Sequence, residues 1–570
     1  MVNFATLTDG VSLNEFAQTE QSRDILTPEA LKLVADLHRR FESRRQDLLA
    51  ARGPRQESWD GGERPDYLPS DELPAARGDW RVAPLQRDLL RRRVEITGPV
   101  SDPKMVINML SRTDDGQRAD AAMLDFEDSM KPSWTNVIQG VTNVREAVAG
   151  TLRFAKHRPD GSVAKEYNLD PDDMPLLMVR VRGLHLAESN LRVDDEPVSG
   201  GLLDLTLCAF HTAAELLDQG KTPKYYVPKV EHYLEARWWN DLFSAIEDGL
   251  GLERSTMRAT FLIETLPAAY QMEEILYELR DHAAGLNGGR WDKIFSDIKC
   301  FREHSDRVLA DRATIGMNRS WMSNYAKQLI RVCHKHGAFG MGGMAAFTPG
   351  RDEATRKEQT QKVIEDKEFE ASIGHDGCWV SHPYFIEHAL RPFDEKLSGK
   401  SNQLDVIPDV PEQPDLLPQP EGPKSEAGLR TNVRVGIAYM QGWNQDIGAV
   451  AWDDLMEDLA TLEISRAQVW QWRRHAVSLD DGEKVTDDYI RRIFAEETDR
   501  IEQEISEAME GAGAAAIQEQ VDLFREAARD AEVVFLESEM RPFLTFRSDV
   551  AGTKDHAVRS HGAVEIEHAN

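Results

Sequence analysis

The chain has 570 residues and a formal net charge of −31, from 68 Lys and Arg against 99 Asp and Glu. This length excludes a small binding module and predicts two to four domains, or one large barrel with additions. A negative field repels phosphate backbones and anionic lipid head groups, and no basic patch stands out, so we expect neither nucleic-acid nor membrane partners.

The cysteine count and the absence of targeting signals indicate where the protein works. The four cysteines, Cys208, Cys300, Cys333 and Cys378, are too few and too scattered for a disulfide framework or a zinc cluster. The sequence shows neither a signal-peptide pattern at its start nor an apolar run of membrane-spanning length. We therefore expect a reducing, cytoplasmic location, with a monomer and a homo-oligomer both compatible with the sequence.

Residues 1–90 read as a polar helical segment that packs against the rest of the chain. Thr27-Pro28-Glu29 has the pattern of an N-cap, a first-turn proline and an acidic first-turn residue. Apolar residues at helical spacing follow it, so the pattern predicts an amphipathic helix here.

In residues 91–404, short apolar or β-branched runs alternate with helical segments such as 236–248 and 268–280. The eight predicted strands are Val94–Thr97, Met123–Glu127, Leu177–Val181, Tyr225–Val230, Thr260–Glu264, Lys293–Ser296, Ala338–Met341 and Cys378–Val380. This alternation predicts repeated βα units and a parallel sheet. Eight units favour an α/β fold of the closed (β/α)8 (TIM) barrel type. An open doubly wound sheet would show the same alternation and remains the alternative.

Residues 405–428 contain six prolines between positions 408 and 423, which predicts an extended linker. Residues 429–570 form the last predicted domain. Its apparent helices span 454–475 and 486–509, and the first of these would carry Asp454, Glu457 and Asp458 in its first turns.

Two carboxylates stand where a barrel places its chemistry, at the ends of neighbouring strands. Glu264 ends the fifth predicted strand, and Asp292 lies about one βα unit later, just before the predicted strand Lys293–Ser296. Two carboxylates can hold one Mg²⁺ whose octahedron is completed by substrate oxygens and water. The alternative is structural: Glu264 would pair with an arginine, and Asp292 would cap a helix.

Charged residues on the preceding strands are expected at the same end of the barrel. Arg180, in the third predicted strand, would supply a fixed positive charge beside the metal, or else form a salt bridge at the rim. Asp125 and Glu127 share one face of the second strand and are predicted to orient their neighbours rather than to bind metal. The histidines His282, His334, His336 and His382 are interpreted as hydrogen-bonded structural residues.

At these residues the sequence resembles the malate synthase family, in its shorter form A. The segment 280–295, Arg-Asp-His-Ala-Ala-Gly-Leu-Asn-Gly-Gly-Arg-Trp-Asp-Lys-Ile-Phe, is similar to the family's diagnostic motif and departs from it at Lys293, where the family usually has Tyr. Further matches run in the family's order from Trp80 to His475. Cys378 and Ser381 depart from the usual residues of the eighth-strand motif.

The resemblance implies a barrel with an N-terminal helical clasp (1–90) and a C-terminal helical plug (429–570) that closes the site. It implies condensation of acetyl-CoA with glyoxylate and water to malate and CoA, in the glyoxylate cycle. Carried over position by position, Glu264 and Asp292 are the Mg²⁺ ligands, Arg180 stabilises the enolate and Asp458 is the base. Trp291 would join Arg180, Glu264 and Asp292 in binding substrate, Asp125 and Glu127 would support the metal and Arg180, and Pro383 would line the CoA pocket.

Two other functions remain open at this point. A malyl-CoA or citramalyl-CoA lyase would use the same barrel, Mg²⁺ and arginine on a CoA thioester. A non-catalytic acidic scaffold would keep the barrel without activity, although four matching site residues disfavour it.

Overall fold

A computed structural model describes residues 3–158, 160–511 and 513–544. The N-terminal region is a mixture of strands and helices. Its elements are β1 (Phe4–Thr8), β2 (Val11–Asn14), α1 (Glu20–Ile25), α2 (Pro28–Ala50) and α3 (Arg52–Asp60). The prediction of an all-helical start is therefore wrong for residues 4–14, which form strands. The predicted cap is confirmed, because Thr27 accepts a hydrogen bond from the Ala30 backbone at the start of α2.

The central region alternates strands and helices. Its elements are β3 (Val94–Pro99), α4 (Pro103–Met109), β4 (Ala121–Asp125), α5 (Trp134–Val148), β5 (Arg153–His157), β6 (Val163–Asn168), β7 (Leu176–Arg180), β8 (Ala187–Val193), β9 (Glu196–Ser199), α6 (Gly200–Asp218), β10 (Lys224–Val227), α7 (Tyr233–Leu250), β11 (Arg258–Leu262), α8 (Leu266–Ala269), α9 (Met272–Glu278), β12 (Ala283–Asn287), α10 (Arg290–Cys300), α11 (Ser320–His336), β13 (Phe339–Ala345), α12 (Glu353–Ile373), β14 (Gly377–Val380) and α13 (Ile386–Leu397). Short 3₁₀ turns connect several of them.

Eight of these strands close into a parallel barrel in the order β3-β4-β7-β10-β11-β12-β13-β14. The closing pair joins the first and last of these strands, with Cys378 opposite Val94. This topology confirms the predicted (β/α)8 barrel and excludes the open sheet. The remaining strands of this region lie outside the barrel: β8 and β9 extend a four-stranded sheet with β1 and β2, and β5 pairs with β6.

One predicted barrel strand is wrong. Residues 293–296 lie inside helix α10, and the sixth strand is β12, ten residues earlier. Its sequence, Ala-Ala-Gly-Leu-Asn, has low strand propensity, which hid it from sequence reasoning. Small residues are required there because a Cβ at Gly285 would lie 2.2 Å from the Phe339 carbonyl oxygen of β13.

Charged and aromatic side chains fill part of the barrel interior. Glu95 of β3 forms an ion pair with Arg92 at 2.7 Å and accepts hydrogen bonds from the Tyr226 hydroxyl, at 2.5 Å, and the Trp379 indole, at 3.0 Å. All four residues are buried. The buried carboxylate is therefore paired and hydrogen-bonded, and it ties β3 to β10 and β14 across the barrel.

The C-terminal region is mainly helical. Its elements are α14 (Glu426–Asn444), β15 (Val450–Trp452), β16 (Leu455–Glu457), α15 (Leu459–Arg474), α16 (Asp487–Ala508) and α17 (Ala514–Phe535). The helix expected from 454 starts at 459, because Asp453 and Asp454 take positive φ angles of 45° and 62° and form the turn of a β15–β16 hairpin. The part of the predicted plug from 545 to 570 lies outside the described residues. Among the described residues no helix is long and apolar enough to cross a membrane.

Candidate active site

The C-terminal ends of the barrel strands bring the predicted site residues together. Asp125 and Arg180 are the last residues of β4 and β7, and Glu264 lies two residues beyond β11. Asp292 lies in the first turn of α10, just after β12 rather than before a strand. The correction of the sixth strand therefore moves Asp292 to the barrel end that carries active sites.

Arg180 is held by a two-pronged contact with Asp125. Its Nε and Nη2 each donate to an Asp125 carboxylate oxygen at 2.6 Å. Asp125 also accepts from the backbone N–H groups of Glu127 and Ser129, each at 2.9 Å. The Nη1 group makes no hydrogen bond within the described residues and lies 3.5 Å from Glu127. Asp125 thus orients Arg180 and leaves one of its nitrogens available.

Lys229 is the site residue that the sequence analysis missed. Its Nζ lies 2.8 Å from Asp128, 2.9 Å from Asp292, 3.2 Å from Glu127 and 3.4 Å from Glu264. The sequence predicted a strand through position 230, whereas β10 ends at Val227 and Lys229 takes a left-handed φ of 57°. A lysine immediately after a buried strand was the available signal.

The strained backbone of Lys229 is fixed from two sides. Its N–H donates to Glu264 Oε1 at 2.9 Å, and its carbonyl accepts from Arg52 of α3 at 3.0 Å. Arg52 is itself held by Glu235, 2.7 Å away. A non-glycine residue in this conformation persists where its surroundings over-determine it, which is typical of functional sites.

Burial and the crowding of like charges shift the pKa values of the acids in the site. Burial and then Asp128 raise the pKa of Glu127 well above its usual value. Burial, opposed by Lys229, likewise raises the pKa of Asp292. Asp128 differs, because Lys229 and Arg180 outweigh its burial and lower its pKa. The cluster carries more carboxylates than cations and favours a further positive charge.

The donor set fits a hard divalent cation. Oε2 of Glu264 is buried without a hydrogen-bond partner among the described residues, and Oδ1 of Asp292 contacts Lys229 Nζ at 2.9 Å without hydrogen-bond geometry. In the described part of the chain, no cluster of three or more His, Cys, Asp or Glu is arranged to bind a metal. Two carboxylates supplemented by water and substrate oxygens suit Mg²⁺ rather than zinc.

Asp458 approaches the same cavity from the C-terminal region. It is the N-cap of α15, in a reciprocal capping box with Thr461, and is 9% exposed. The backbone N–H of Leu459 donates to the Asp128 carbonyl at 3.1 Å, which joins the helix start to the barrel. Burial and then the Asp128 carboxylate raise the pKa of Asp458 to about 7. Asp458 is therefore a stronger base than an ordinary aspartate.

A cavity of about 80 Å³ joins these groups, and we name it the reaction cavity. Its wall includes Arg180, Glu264, Trp291, Asp292 and Asp458. The structure therefore brings together the predicted arginine, both predicted metal ligands, the predicted base and the predicted substrate-binding tryptophan. Trp379 of β14 and Ser381, which follows that strand, also line this cavity.

Pro383 lies outside this cavity. It follows Ser381 by two residues and lines a separate surface pocket with Asn108, Arg112 and Lys165. Its predicted contact with CoA stays a prediction, since Pro383 is not among the residues that line the reaction cavity.

Three of the four histidines that we interpreted as structural contact a carboxylate. His282, His334 and His336 contact Glu247, Asp376 and Glu273, respectively, at 3.1, 2.9 and 2.8 Å. Lys293, which departs from the family motif, is buried and contacts Asp297 of its own helix at 2.5 Å.

Comparisons with known proteins give one consistent family. Sequence profiles of the malate synthase N-terminal domain, TIM barrel domain and C-terminal domain match residues 17–73, 176–417 and 423–548. The malate synthase of Myxococcus xanthus (strain DK1622) is 47% identical over 492 residues, covering 86% of this chain and 88% of that protein. Malate synthase A of Escherichia coli (strain K12) is 41% identical over 548 residues, covering 96% and 98%. The malate synthase of Streptomyces clavuligerus is 43% identical over 517 residues, covering 89% and 93%. With three domain matches in order and this identity over most of its length, the chain belongs to the malate synthase family.

Proposed function

We propose that this chain is a Mg²⁺-dependent acyltransferase that condenses acetyl-CoA with glyoxylate and water to give malate and CoA in the cytoplasm. The observation that carries the proposal is the convergence of Arg180, Glu264, Asp292 and Asp458 on one small cavity. Each supplies a different requirement of the reaction, and three of them come from separate barrel strands or the loops that follow them.

Asp458 is the proposed base. The methyl proton of a thioester is weakly acidic, so a base with a pKa of about 7 removes it more readily than an ordinary carboxylate would. Asp458 carries no ion pair within the described residues, which leaves its carboxylate available for the proton. The capping box fixes its backbone, and thereby the direction from which it approaches the substrate.

Arg180 is the proposed stabiliser of the enolate. As the proton leaves, negative charge develops on the thioester oxygen, and a preorganised cation there lowers the barrier. Asp125 occupies Nε and Nη2, so Nη1 is the group that would donate to this oxygen. Asp125 therefore acts through Arg180 by fixing its plane.

Glu264 and Asp292 would hold Mg²⁺, which when bound supplies Lewis-acid polarisation of the glyoxylate aldehyde. The backbone N–H groups of Trp291 and Asp292, in the first turn of α10, face no side-chain cap and are suited to a carboxylate. Glu127 and Asp128, bound to Lys229, would support the metal ligands without binding metal themselves.

The plug and the barrel would jointly exclude water from the enolate. Met456 donates its N–H to the Ala346 carbonyl at 2.7 Å, and Thr348 donates to the Asp454 carbonyl at 2.9 Å, so the β15–β16 hairpin covers the end of β13. Water is admitted afterwards, when the malyl thioester is hydrolysed.

The experiment that tests the function measures free CoA. Purified protein is incubated with Mg²⁺, acetyl-CoA and glyoxylate, and the released thiol is followed with a chromogenic thiol reagent while malate is quantified separately. We expect CoA and malate in equal amounts, with no release in EDTA. A lyase would leave the malyl thioester intact, and that outcome would refute the proposal.

A further inference from the structure

A second cavity, of about 460 Å³, adjoins the reaction cavity and has no role in the mechanism above. We name it the side cavity. It lies between β13, α12 and the β15–β16 hairpin, and shares Gly288, Arg290, Trp291, Met344 and Met456 among its lining residues with the reaction cavity. The shared wall includes Trp291, the neighbour in sequence of the proposed metal ligand Asp292.

Two arginines in its wall have no carboxylate within ion-pair distance in the described part of the chain. Arg290 forms neither an ion pair nor a hydrogen bond within the described residues, and its guanidinium carbon lies 4.1 Å from the centre of the Trp291 ring. The Arg312 guanidinium carbon lies 5.2 Å from the same ring centre. Both cations therefore lie against one aromatic side chain that also lines the reaction cavity.

Arg312 is exceptional among the buried arginines of the described chain. The buried arginines are Arg45, Arg92, Arg93, Arg180, Arg182, Arg258, Arg312, Arg434, Arg466 and Arg541. All but two of them form an ion pair with Asp or Glu. Arg258 instead donates to four backbone carbonyls. Arg312, 6% exposed, has a single side-chain hydrogen bond, to the Thr461 carbonyl at 3.4 Å.

An unpaired buried guanidinium costs stability, so a fold keeps one where a ligand compensates it. Burial, opposed by the Glu457 charge, lowers the pKa of Arg312, in agreement with that cost. The acids of the same wall, Asp366, Glu370 and Glu457, act on the two arginines through charge at longer range, without an ion-pair contact to either one among the described residues. Asp366 and Glu370 are engaged with Lys367 at 2.8 and 3.0 Å, and Glu457 lies beyond ion-pair distance of Arg312.

We propose that Arg290 and Arg312 form an anion-binding vestibule for small carboxylates, which captures glyoxylate before it reaches the metal site. The inference rests on the proposed function for the identity of the ligand. The planar fork of a guanidinium matches a carboxylate, and the lining shared through Trp291 gives the captured acid a short path to Asp292.

Binding is tested first without catalysis. Malonate is titrated into the full-length protein in EDTA by calorimetry, comparing wild type, Arg312→Gln and the control Arg254→Gln. Arg254 is an exposed arginine that precedes β11, at the opposite end of the barrel, so its variant loses the same charge without touching the cavity. We expect Arg312→Gln to bind malonate at least about tenfold more weakly than wild type and the control.

Two further readouts separate this role from a structural one. Because Arg312→Gln removes an uncompensated charge, its melting temperature in ligand-free buffer should equal or exceed that of wild type, whereas a structural arginine would show a lower value. Inorganic phosphate should bind wild type more weakly than malonate does. Equal malonate affinity in Arg312→Gln, or phosphate binding tighter than malonate, overturns the assignment, and Arg290→Gln repeats the test independently.

Steady-state kinetics then test whether glyoxylate reaches the metal site through the vestibule. In Arg312→Gln the KM for glyoxylate should rise about tenfold, while the KM for acetyl-CoA changes less than about twofold. A raised KM for acetyl-CoA with an unchanged KM for glyoxylate would assign the vestibule to CoA phosphates and overturn the proposal. If wild type releases no CoA, the proposed function fails, whereas the malonate titration still decides whether the anion site exists.

Discussion

Replacing Asp458 by Asn isolates the proposed base because the change preserves shape and helix capping. Asn and Asp are equally good N-caps, so the contact from the Thr461 N–H to residue 458 is retained. The substitution removes only the ability to accept the methyl proton. General-base catalysis contributes about 10²–10⁴-fold, so we expect turnover to fall about a thousandfold, equivalent to about 4 kcal/mol in the barrier.

Although Asp458→Asn should lose turnover, its folding stability should not fall. The folded-state pKa of about 7 lies above the ordinary value of 3.8, so the native state binds this proton more tightly than the unfolded chain. Stability is therefore lost as pH rises from about 4 to 7, by at most about 4 kcal/mol above pH 7. The Asn side chain avoids this loss, and the variant should melt no lower than wild type at pH 8.

The assay compares CoA release and thermal melting for wild type, Asp458→Asn and the control Asp454→Asn. Asp454 is exposed in the hairpin turn four residues earlier, and Asn tolerates its positive φ of 62°. Turnover of Asp458→Asn within tenfold of wild type would refute its role as base. In wild type, turnover should fall as Asp458 is protonated, with the acid limb at or below pH 7, because bound Mg²⁺ would oppose the rise in this pKa.

Three other substitutions probe the site and the barrel. Arg180→Lys cannot reproduce the two-pronged contact and a free donor together, so turnover should fall about 10²-fold or more with a similar circular dichroism spectrum; near-normal turnover would contradict the enolate role. Lys229→Met leaves four acids without their shared cation and should destabilise metal-free protein by about 3–5 kcal/mol in urea titrations, with partial recovery in Mg²⁺; an unchanged midpoint in EDTA would argue against that role. Gly285→Val places a Cβ 2.2 Å from the Phe339 carbonyl oxygen, so the free energy of unfolding should drop by about 3 kcal/mol or more. The control Gly53→Ala has open space around its Cβ and should match wild type.

The barrel was predictable because most of its strands are β-branched or apolar runs followed by helical periodicity. The exception, Ala283–Asn287, is a strand whose residues are dictated by the close approach of β13, and tertiary packing there outweighs intrinsic propensity. The N-terminal strands escaped prediction for a related reason. They extend the sheet of β8 and β9, which lie far away in the sequence, and the local sequence pattern does not indicate such a partner.

The site was predictable to the extent that it depends on single residues in a recognisable motif. Arg180 and Glu264 follow from strand ends and from the family resemblance, whereas Asp292, placed before a strand that does not exist, follows from the resemblance. Lys229 did not, because its importance depends on a backbone conformation imposed by Arg52 and Glu264. The unpaired state of Arg312 is likewise a property of three-dimensional surroundings, visible only when every buried arginine is matched with its partners.

The pairing of Glu95 with Trp379 has a consequence for how the chain is made. These two residues are 284 positions apart, and their strands β3 and β14 form the seam of the barrel. During synthesis β3 is an unpaired edge on that side until the ribosome has passed residue 380, and an exposed edge can recruit another chain. Slow translation or early termination within this interval should therefore yield aggregates rather than a smaller folded barrel.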